Sequence, residues 1–434
     1  MAKEFLLKNV TLVDGSNTDI CISDGRIAAI GSDLSCSGEI IDCTALIALP
    51  GLVDLHTHLR QPGGEQSETI ATGSAAAVAG GFTAIHAMAN TNPVADNVSV
   101  VSFVHDTANE VGLLEVRPVG AVTVGLEGLQ LADISGMHVS TASVNVFSDD
   151  GKCVSDARLM REALAKAAEI GAVIAQHAQE PTLTQDAQMN AGEVAESLGL
   201  TGWPNIAEEI IIARDILLAD ELGARLHICH VSTKGAVEIV RAAKARGSLV
   251  TAEVTPHHLL LTEELAETRD ALYKVNPPLR TKADVMAVRE ALADGTIDII
   301  ATDHAPHPAD KKSGDWAEAA FGMLGLETAL SIAQKVLIDD LGLGWFKVAE
   351  VLSISPARIG KLANQGQPIA VGNEANLTIV NPNAARQIES LGKSKSTNNP
   401  YAGMILPGQV MHTIFRGQFS LKNSEIQNRS EGNQ

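Results

Sequence analysis

Two histidines one residue apart close an apolar run in Pro50-Gly51-Leu52-Val53-Asp54-Leu55-His56-Thr57-His58-Leu59-Arg60. Alternate side chains of an extended strand share a face, so His56 and His58 point the same way and offer two imidazoles to one cation. Arg60 follows at the strand exit, where a planar guanidinium suits a carboxylate held by two parallel hydrogen bonds. A His-x-His pair alone fits an ordinary half-exposed strand equally well. The other ligand-type residues decide the matter. Asn90, Asp149-Asp150-Gly151, His177, His230 and Asp303-His304, with His307 close behind, each follow an apolar run. Four histidines and two aspartates gathered on one rim would suit one or two Zn²⁺ ions, since imidazole and carboxylate are the usual non-thiolate ligands of that metal.

The elements that must bring them together are apolar runs at 52–55, 83–88, 116–122, 143–147, 173–175, 226–229, 249–254 and 297–301. Most are separated by helix-like stretches such as 156–170, 206–222, 234–246 and 282–293, with apolar residues three and four apart. The stretch 122–138 is less regular. Eight buried strands alternating with helices predict an α/β fold, a (β/α)₈ TIM-type barrel, whose site lies at the C-terminal ends of its strands. Closure of such a barrel collects residues far apart in sequence around one axis.

The barrel is expected over residues 49–365. Residues 1–48 read instead as short strands with hairpin signals at Asp14-Gly15 and Asp24-Gly25, and a β-rich segment returns over 366–420. The two ends are expected to pair into one small β-domain. Residues 421–434 are polar, lack a periodic apolar face and read as a disordered tail. A formal charge of −20 with 3% aromatic residues argues against nucleic-acid binding, so an anionic ligand needs local positive charge. The five cysteines form no Cys-x-x-Cys pair, which fits reduced thiols and a cytoplasmic protein. The first residues lack the pattern of a signal peptide, and no apolar stretch suits a bilayer, so no membrane contact is expected.

Taken together, the run from Pro50 to Gly63, Asp149-Asp150-Gly151, His230-Val231-Ser232-Thr233, Asn276-Pro277-Pro278-Leu279-Arg280 and Thr302-Asp303-His304-Ala305-Pro306-His307 resemble the dihydroorotase family of the amidohydrolase superfamily. The likeness runs from about residue 5 to 420. It is greatest to bacterial members with an aspartate where others carry a carboxylated lysine. The resemblance implies that His56, His58 and Asp303 hold one zinc, that His177 and His230 hold a second, and that Asp150 bridges them. Asp150 is preferred to Asp149 because its spacing to His177 matches the family, leaving Asp149 as a turn or supporting acid. Arg60, Asn90 and a protonated His307 resemble the group that holds the substrate carboxylate. Asn276 resembles a contact to the pyrimidine ring, and Gly322, in Phe321-Gly322-Met323-Leu324-Gly325, is expected to offer the ring its backbone. Gln61, Ala89 and Gln179 depart from the family pattern.

The implied activity is reversible hydrolysis of the cyclic amide of L-dihydroorotate to N-carbamoyl-L-aspartate in de novo pyrimidine (UMP) biosynthesis. Zinc would acidify a bound water towards a pKa of about 7. Asp303 would act as general base and then general acid, passing the proton to the departing ring nitrogen. A homo-oligomer such as a dimer, and association with another enzyme of the pathway, are further expectations. Two alternatives stay open: a related allantoinase- or hydantoinase-like amidohydrolase, and an inactive scaffold homologue. No lysine in 143–147 and the presence of Arg60 argue against the first, and the complete ligand set argues against the second. His86, His105, His138, His227 and His412 read as structural or surface groups. His304 reads as a supporting residue, and His257 and His258 receive no role. The 303–322 connection, with Lys311-Lys312-Ser313-Gly314, is either a lid or a static loop.

Overall fold

The computed structural model describes residues 4–427. Its centre is a ring of parallel strands, β1 (Leu52–Thr57), β2 (Phe82–Ala87), β3 (Glu115–Pro118), β4 (Val146–Phe147), β5 (Val173–Gln176), β6 (Leu226–Ile228), β7 (Val250–Val254) and β8 (Ile299–Ile300). β1 to β3 form one continuous ladder and β4 to β8 another. Single parallel bridges, Gly120 with Phe147 and Thr57 with His304, join the two ladders into a closed barrel. Every residue of β1, β2 and β5 is buried, as parallel strands covered on both faces require.

The surrounding helices follow the apolar periodicity. In the helix Ala157–Ile170, the Asp156 side chain caps the Leu159 N–H at 2.7 Å and Gly171 ends the helix in the left-handed conformation. Leu159, Met160, Ala163, Leu164 and Ala167 form its buried face, each large side chain contributing about 1.5–3 kcal/mol. Between β3 and β4 only a 3₁₀ turn, Val124–Leu126, and a short helix, Ile134–Val139, are formed. After β8 the helix is broken: Ala329–Ala333 passes into a π segment, Gln334–Asp340, and a second π segment, Glu350–Ile354, lies between Trp345–Ala349 and Ser355–Ile359.

A nine-stranded sheet combines both ends of the chain. Ile47–Pro50 pairs antiparallel with Leu377–Gln387, which pairs with Ile405–Phe415. The proposed division into a small β-domain and a barrel is supported by this sheet having its own core, built from Leu7, Ile20, Ile22, Leu377, Ile379 and Ile414. Strand Ile47–Pro50 carries the sheet slightly past the expected boundary at 48. Only Gly51 then separates it from β1, and a Cβ there would meet Thr83 Oγ1 at 2.2 Å. The sheet thus feeds directly into the strand that carries His56 and His58.

The expected tail begins too early. Leu421 and Lys422 belong to strand Gln418–Lys422, which turns back onto Glu425–Ile426. Leu421 is buried, and Lys422 reaches Glu39 at 2.6 Å; a single anchoring leucine is invisible to periodicity. The rest of the expected tail, 428–434, lies outside the described residues. Among the described residues no helix is long and apolar enough to cross a membrane.

Candidate metal centre and substrate pocket

His56, at 0% exposure, and the buried His58 project from the end of β1. Asp54 secures this end by accepting from the His56 N–H at 3.0 Å and the Thr302 N–H at 3.1 Å, which ties β1 to β8. Asp150 stands just beyond β4, and its two oxygens face different ways. Oδ2 lies 3.3 Å from Nε2 of both His56 and His58. Oδ1 lies 3.1 Å from His177 Nδ1 and 3.2 Å from His230 Nε2. Asp303 Oδ1 completes the first group at 3.1 Å from His58 Nε2 and 3.4 Å from His56 Nε2. Two buried donor sets therefore share one carboxylate.

The donor set fits metal ions. Zinc bonds to nitrogen and oxygen of about 2.0–2.1 Å imply tetrahedral edges of about 3.3 Å, and the His56/His58/Asp150/Asp303 separations run from 3.1 to 3.4 Å. Outer contacts fix the imidazole protons on the far side. His56 Nδ1 lies 2.6 Å from Glu253 Oε1, His58 Nδ1 2.8 Å from Asn90 Oδ1, and His177 Nε2 2.9 Å from Gln179 Oε1. Each of those oxygens accepts a proton, so the opposite nitrogen turns a lone pair towards the carboxylates. Lone pair against carboxylate is repulsive unless a cation stands between them. His56 Nε2 is in addition buried without a hydrogen-bond partner.

The local field points the same way. Burial opposes charge on His56, yet Asp150, Glu253 and Asp303 outweigh it and raise its pKa well above the ordinary imidazole value. Burial would raise the Asp303 pKa, but His56 and His58 hold it down at about 2. A site that favours cationic imidazoles this strongly would equally favour a dication. His230, Asp303 and Arg60 all have positive φ, at 32°, 45° and 61°. Such non-glycine conformations cost about 1–3 kcal/mol each and concentrate at functional sites.

Asp149 has other work. Its Oδ1 accepts from the N–H groups of Val122 (2.8 Å) and Thr123 (3.0 Å), and its Oδ2 accepts from the Thr123 hydroxyl. It locks the loop after β3 and stands apart from the shared cluster.

The residues expected to meet substrate lie on the same mouth. Arg60 Nε donates to the Pro306 carbonyl at 3.2 Å, and Nη2 lies 3.5 Å from His307 Nε2. Burial lowers the Arg60 pKa to about 10, which leaves it charged at neutral pH. Asn90 gives its oxygen to His58, leaving its NH₂ group for an incoming acceptor. The Ala89 carbonyl steadies this loop by accepting from Thr91 N (2.9 Å) and Ala95 N (3.0 Å). Asn276 Nδ2 donates to Gln179 Oε1 at 3.2 Å, while its Oδ1 is buried and unpartnered. Gln61 Oε1 accepts from Ile70 N at 3.0 Å and so anchors the start of the helix Ile70–Ala79.

Two expectations need correction. His307 is uncharged at neutral pH, because burial and then the neighbouring Arg60 charge push its pKa down to about 3. Its Nε2 donates to the Phe321 carbonyl at 2.8 Å. Gly322 does not offer its backbone to a ring. Its N–H is spent on Lys274 O at 3.0 Å, and its carbonyl accepts from Lys312 Nζ (2.9 Å) and Asn398 Nδ2 (3.2 Å). What Gly322 supplies is room: with φ of +143°, a Cβ would sit 2.9 Å from the His307 ring.

Glu253, on β7, was missed by sequence reasoning. It touches His56 Nδ1, the His230 N–H at 3.2 Å and His227 Nε2 at 2.9 Å. The available signal was a lone acid in the apolar run 249–254, since a buried charge implies a partner. Gln179, noted only as a departure, links His177 to Asn276. His257 is fully buried with neither ring nitrogen partnered, whereas His258 is held by Thr255 Oγ1 and the Pro277 carbonyl. His304 turns from the centre, with Nε2 3.4 Å from Glu68 and Nδ1 accepting from Gly325 N at 3.3 Å.

Comparison with known proteins gives the family of the chain. Residues 45–236 match the family described as Dihydro-orotase-like. The chain is 57% identical over 425 residues to the dihydroorotase of Leifsonia xyli subsp. xyli, covering 97% of each. It is 54% identical over 423 residues to that of Streptomyces coelicolor (97% of this chain, 99% of the relative). With that of Mycobacterium tuberculosis it shares 50% over 416 residues (95% and 97%). Among solved structures it resembles the L-hydantoinase (dihydropyrimidinase) from Arthrobacter aurescens, with a TM-score of 0.88 and 26% identity over 99% of this chain and 98% of that one. The dihydropyrimidinase from Brevibacillus agri NCHU1002, at 24% identity, has the same fold (TM-score 0.83, covering 98% and 96%).

Proposed function

The chain belongs to the dihydroorotase family of amidohydrolases, and from that premise we propose how its own side chains perform the reaction. It hydrolyses the cyclic amide of L-dihydroorotate to N-carbamoyl-L-aspartate, a step of pyrimidine biosynthesis that runs towards ring closure in the synthetic direction. The hydantoinase-like alternative is not favoured: that likeness is 26% identity, against 57% for a dihydroorotase.

In the proposal His56, His58 and Asp303 would hold one zinc, His177 and His230 would hold a second, and Asp150 would be shared between the two sets. The observation that carries it is the split of the Asp150 carboxylate, Oδ2 towards one imidazole pair and Oδ1 towards the other. When bound, the metal pair would supply an acidified water and a Lewis acid for the amide carbonyl. Asp303 is ionised at neutral pH. It accepts a proton from the attacking water as the new C–O bond forms, and returns it to the ring nitrogen as the C–N bond breaks. Ring closure uses the same groups in reverse.

Arg60 and the Asn90 amide hold the substrate carboxylate, the only strong positive charge in this contact being the guanidinium. His307 keeps Arg60 company as a neutral ring and shapes the pocket wall opposite Gly322. The unpartnered Asn276 Oδ1 accepts a ring N–H, which satisfies an otherwise costly buried acceptor. The proposal also includes a homo-oligomer, in the simplest case a dimer, working in the cytoplasm with contact to another enzyme of the pathway. The oligomer is supported by an apolar stripe on the helix Ile206–Leu222, where Ile206, Ile210 and Leu217 are 50%, 49% and 67% exposed on one face.

The test is metal content and dihydroorotate hydrolysis measured on one purified sample. Asp150→Ala is expected to lose at least one ion per chain and all turnover, while Asp149→Asn keeps its metal. An Asp150→Ala protein that retains two ions would sink the bridging role.

A further inference from the structure

After His307 the chain forms one 3₁₀ turn, Ala309–Lys311, and loops back to Gly322 against residues 273–276. Inside this loop Lys312 is only 7% exposed. Its Nζ donates to the carbonyls of Lys274, Ala320 and Gly322, each at 2.9 Å. An ammonium has three protons, and all three are spent on neutral acceptors. Among the described residues no carboxylate lies within ion-pair distance of it. Lysine is rarely buried without a counter-charge, so the position is expensive to maintain and packing alone does not account for it.

The three carbonyls belong to two walls of the substrate pocket. Lys274 precedes Asn276 by two residues. Ala320 and Gly322 flank Phe321, whose carbonyl receives the His307 Nε2 proton at 2.8 Å. The Gly322 N–H to Lys274 O bond follows the same seam. Asn398 steadies the far side, accepting from His307 N at 3.0 Å and donating to Ala305 O at 2.9 Å. Lys274 is also turned inward, to the carbonyls of Trp316 (2.7 Å) and Ala317 (3.2 Å), with Nζ 4.4 Å from the Phe321 ring centroid.

We propose that Lys312 is a positioning residue for the reaction: its ammonium clamps the segment carrying Asn276 to the segment carrying Phe321, and so sets the distance between Asn276 and His307 across the substrate. The inference rests on the assignment of those two residues to the substrate pocket. It also gives the loop 303–322 a function that is neither a lid nor a bystander. The loop is a wall, and Lys312 is the pin that holds it.

The test uses the full, metal-loaded chain. Lys312→Met keeps the apolar stem and removes the three donors. KM for dihydroorotate is expected to rise about tenfold, equivalent to about 1.4 kcal/mol, with kcat changed by less than about threefold and metal content unaltered. Because the clamp acts through His307, the KM increment should vanish when Lys312→Met is added to His307→Ala. A Lys312→Met enzyme with unchanged KM, or defects that multiply in the double variant, would overturn the proposal. If His307→Ala and Asn276→Ala both leave KM unchanged, the pocket assignment has failed first and the clamp falls with it. If those variants raise KM and Lys312→Met does not couple to His307, only the clamp is refuted. Should Lys312→Met not fold, Lys312→Gln, which keeps two donors, goes through the same cycle.

Discussion

Removing Glu253 tests the reading of the metal centre without touching any proposed ligand. Glu253 Oε1 serves both His56 Nδ1 at 2.6 Å and the His230 N–H at 3.2 Å, and Oε2 serves His227 Nε2 at 2.9 Å. Burial would raise its pKa, but the charges of His56 and His227 and their hydrogen bonds hold it far below the ordinary value, so it is a carboxylate at working pH. Glu253→Gln can keep its amide oxygen on His56 and His230. Its NH₂ then faces His227, which adapts by switching tautomer and donating from Nδ1 to Thr251 Oγ1, 2.8 Å away. The His56 lone pair stays aimed at the site, and what is lost is the negative charge that makes the imidazole a better donor. Losing such an outer partner typically costs about 10- to 100-fold in metal affinity or activity. The expected value for Glu253→Gln is the lower figure, about tenfold or 1.4 kcal/mol. Glu253→Ala also frees the His56 ring and leaves the His230 N–H unpaired, so about 100-fold is expected. Competition against a chelator of known affinity reads both numbers, with turnover measured on the same samples. Glu253→Ala binding metal as tightly as the unaltered chain would refute the argument that His56 is oriented from behind.

Two further expectations concern substrate and pH. Arg60→Ala should raise KM by about 10- to 150-fold, corresponding to the roughly 1.5–3 kcal/mol of a charged hydrogen-bonded contact, whereas Asp303→Ala should abolish turnover with part of the metal retained; steady-state kinetics giving the two variants the same defect would contradict the division of roles. His86, which belongs to neither donor set and is bonded through Nδ1 to Asp54 O at 3.3 Å, is buried, and burial lowers its pKa to about 4. Its folded value lies below the unfolded value, so its neutral form stabilises the fold fully above about pH 6.5, and that stability is lost as pH falls towards 4. The loss is on the order of 3 kcal/mol. In urea unfolding of metal-free protein, His86→Gln should lose less stability than the unaltered chain between those pH values, and parallel pH profiles would contradict the assignment.

The barrel was legible because its strands are buried on both faces and therefore read as uninterrupted apolar runs, each ending where a polar residue emerges. The six proposed ligands were legible for the same reason: His56, His58, Asp150, His177, His230 and Asp303 all stand at such exits. Apolar patterning alone could not separate Asp149 from Asp150, because adjacent residues exit the same strand; the spacing to His177 favoured Asp150, and the carboxylate directions agree, Asp149 into the Thr123 loop and Asp150 into the cluster. The charge of His307 was misjudged because its type says nothing of the Arg60 cation beside it or of the Phe321 carbonyl that takes its proton. Gly322 was recognised as special for the wrong reason. A glycine invites close approach, but here the approaching group is His307 itself. The broken helix after β8 carries no periodic mark of its π segments; Glu350–Ile354 packs against β1 and β8, while Gln334–Asp340 packs against the strand Ile405–Phe415.

An acidic chain that binds an anion must place its few useful cations where substrate will feel them, and must prevent its own carboxylates from neutralising them. Arg60 meets a backbone carbonyl and a neutral histidine. Lys312 and Lys274 likewise meet only carbonyls and an aromatic face. Carbonyl oxygens satisfy the donors without adding a negative charge beside them, but burial lowers the Lys312 pKa to about 7 and the Lys274 pKa to about 8, so Arg60, at about 10, is the group that stays fully charged for an incoming carboxylate. No composition or motif encodes that arrangement, because the acceptors are backbone atoms whose identity the sequence does not record. In a protein of net charge −20, the recognition of an anion therefore falls on Arg60, whose hydrogen-bonding contacts are a backbone carbonyl and a neutral ring rather than a carboxylate.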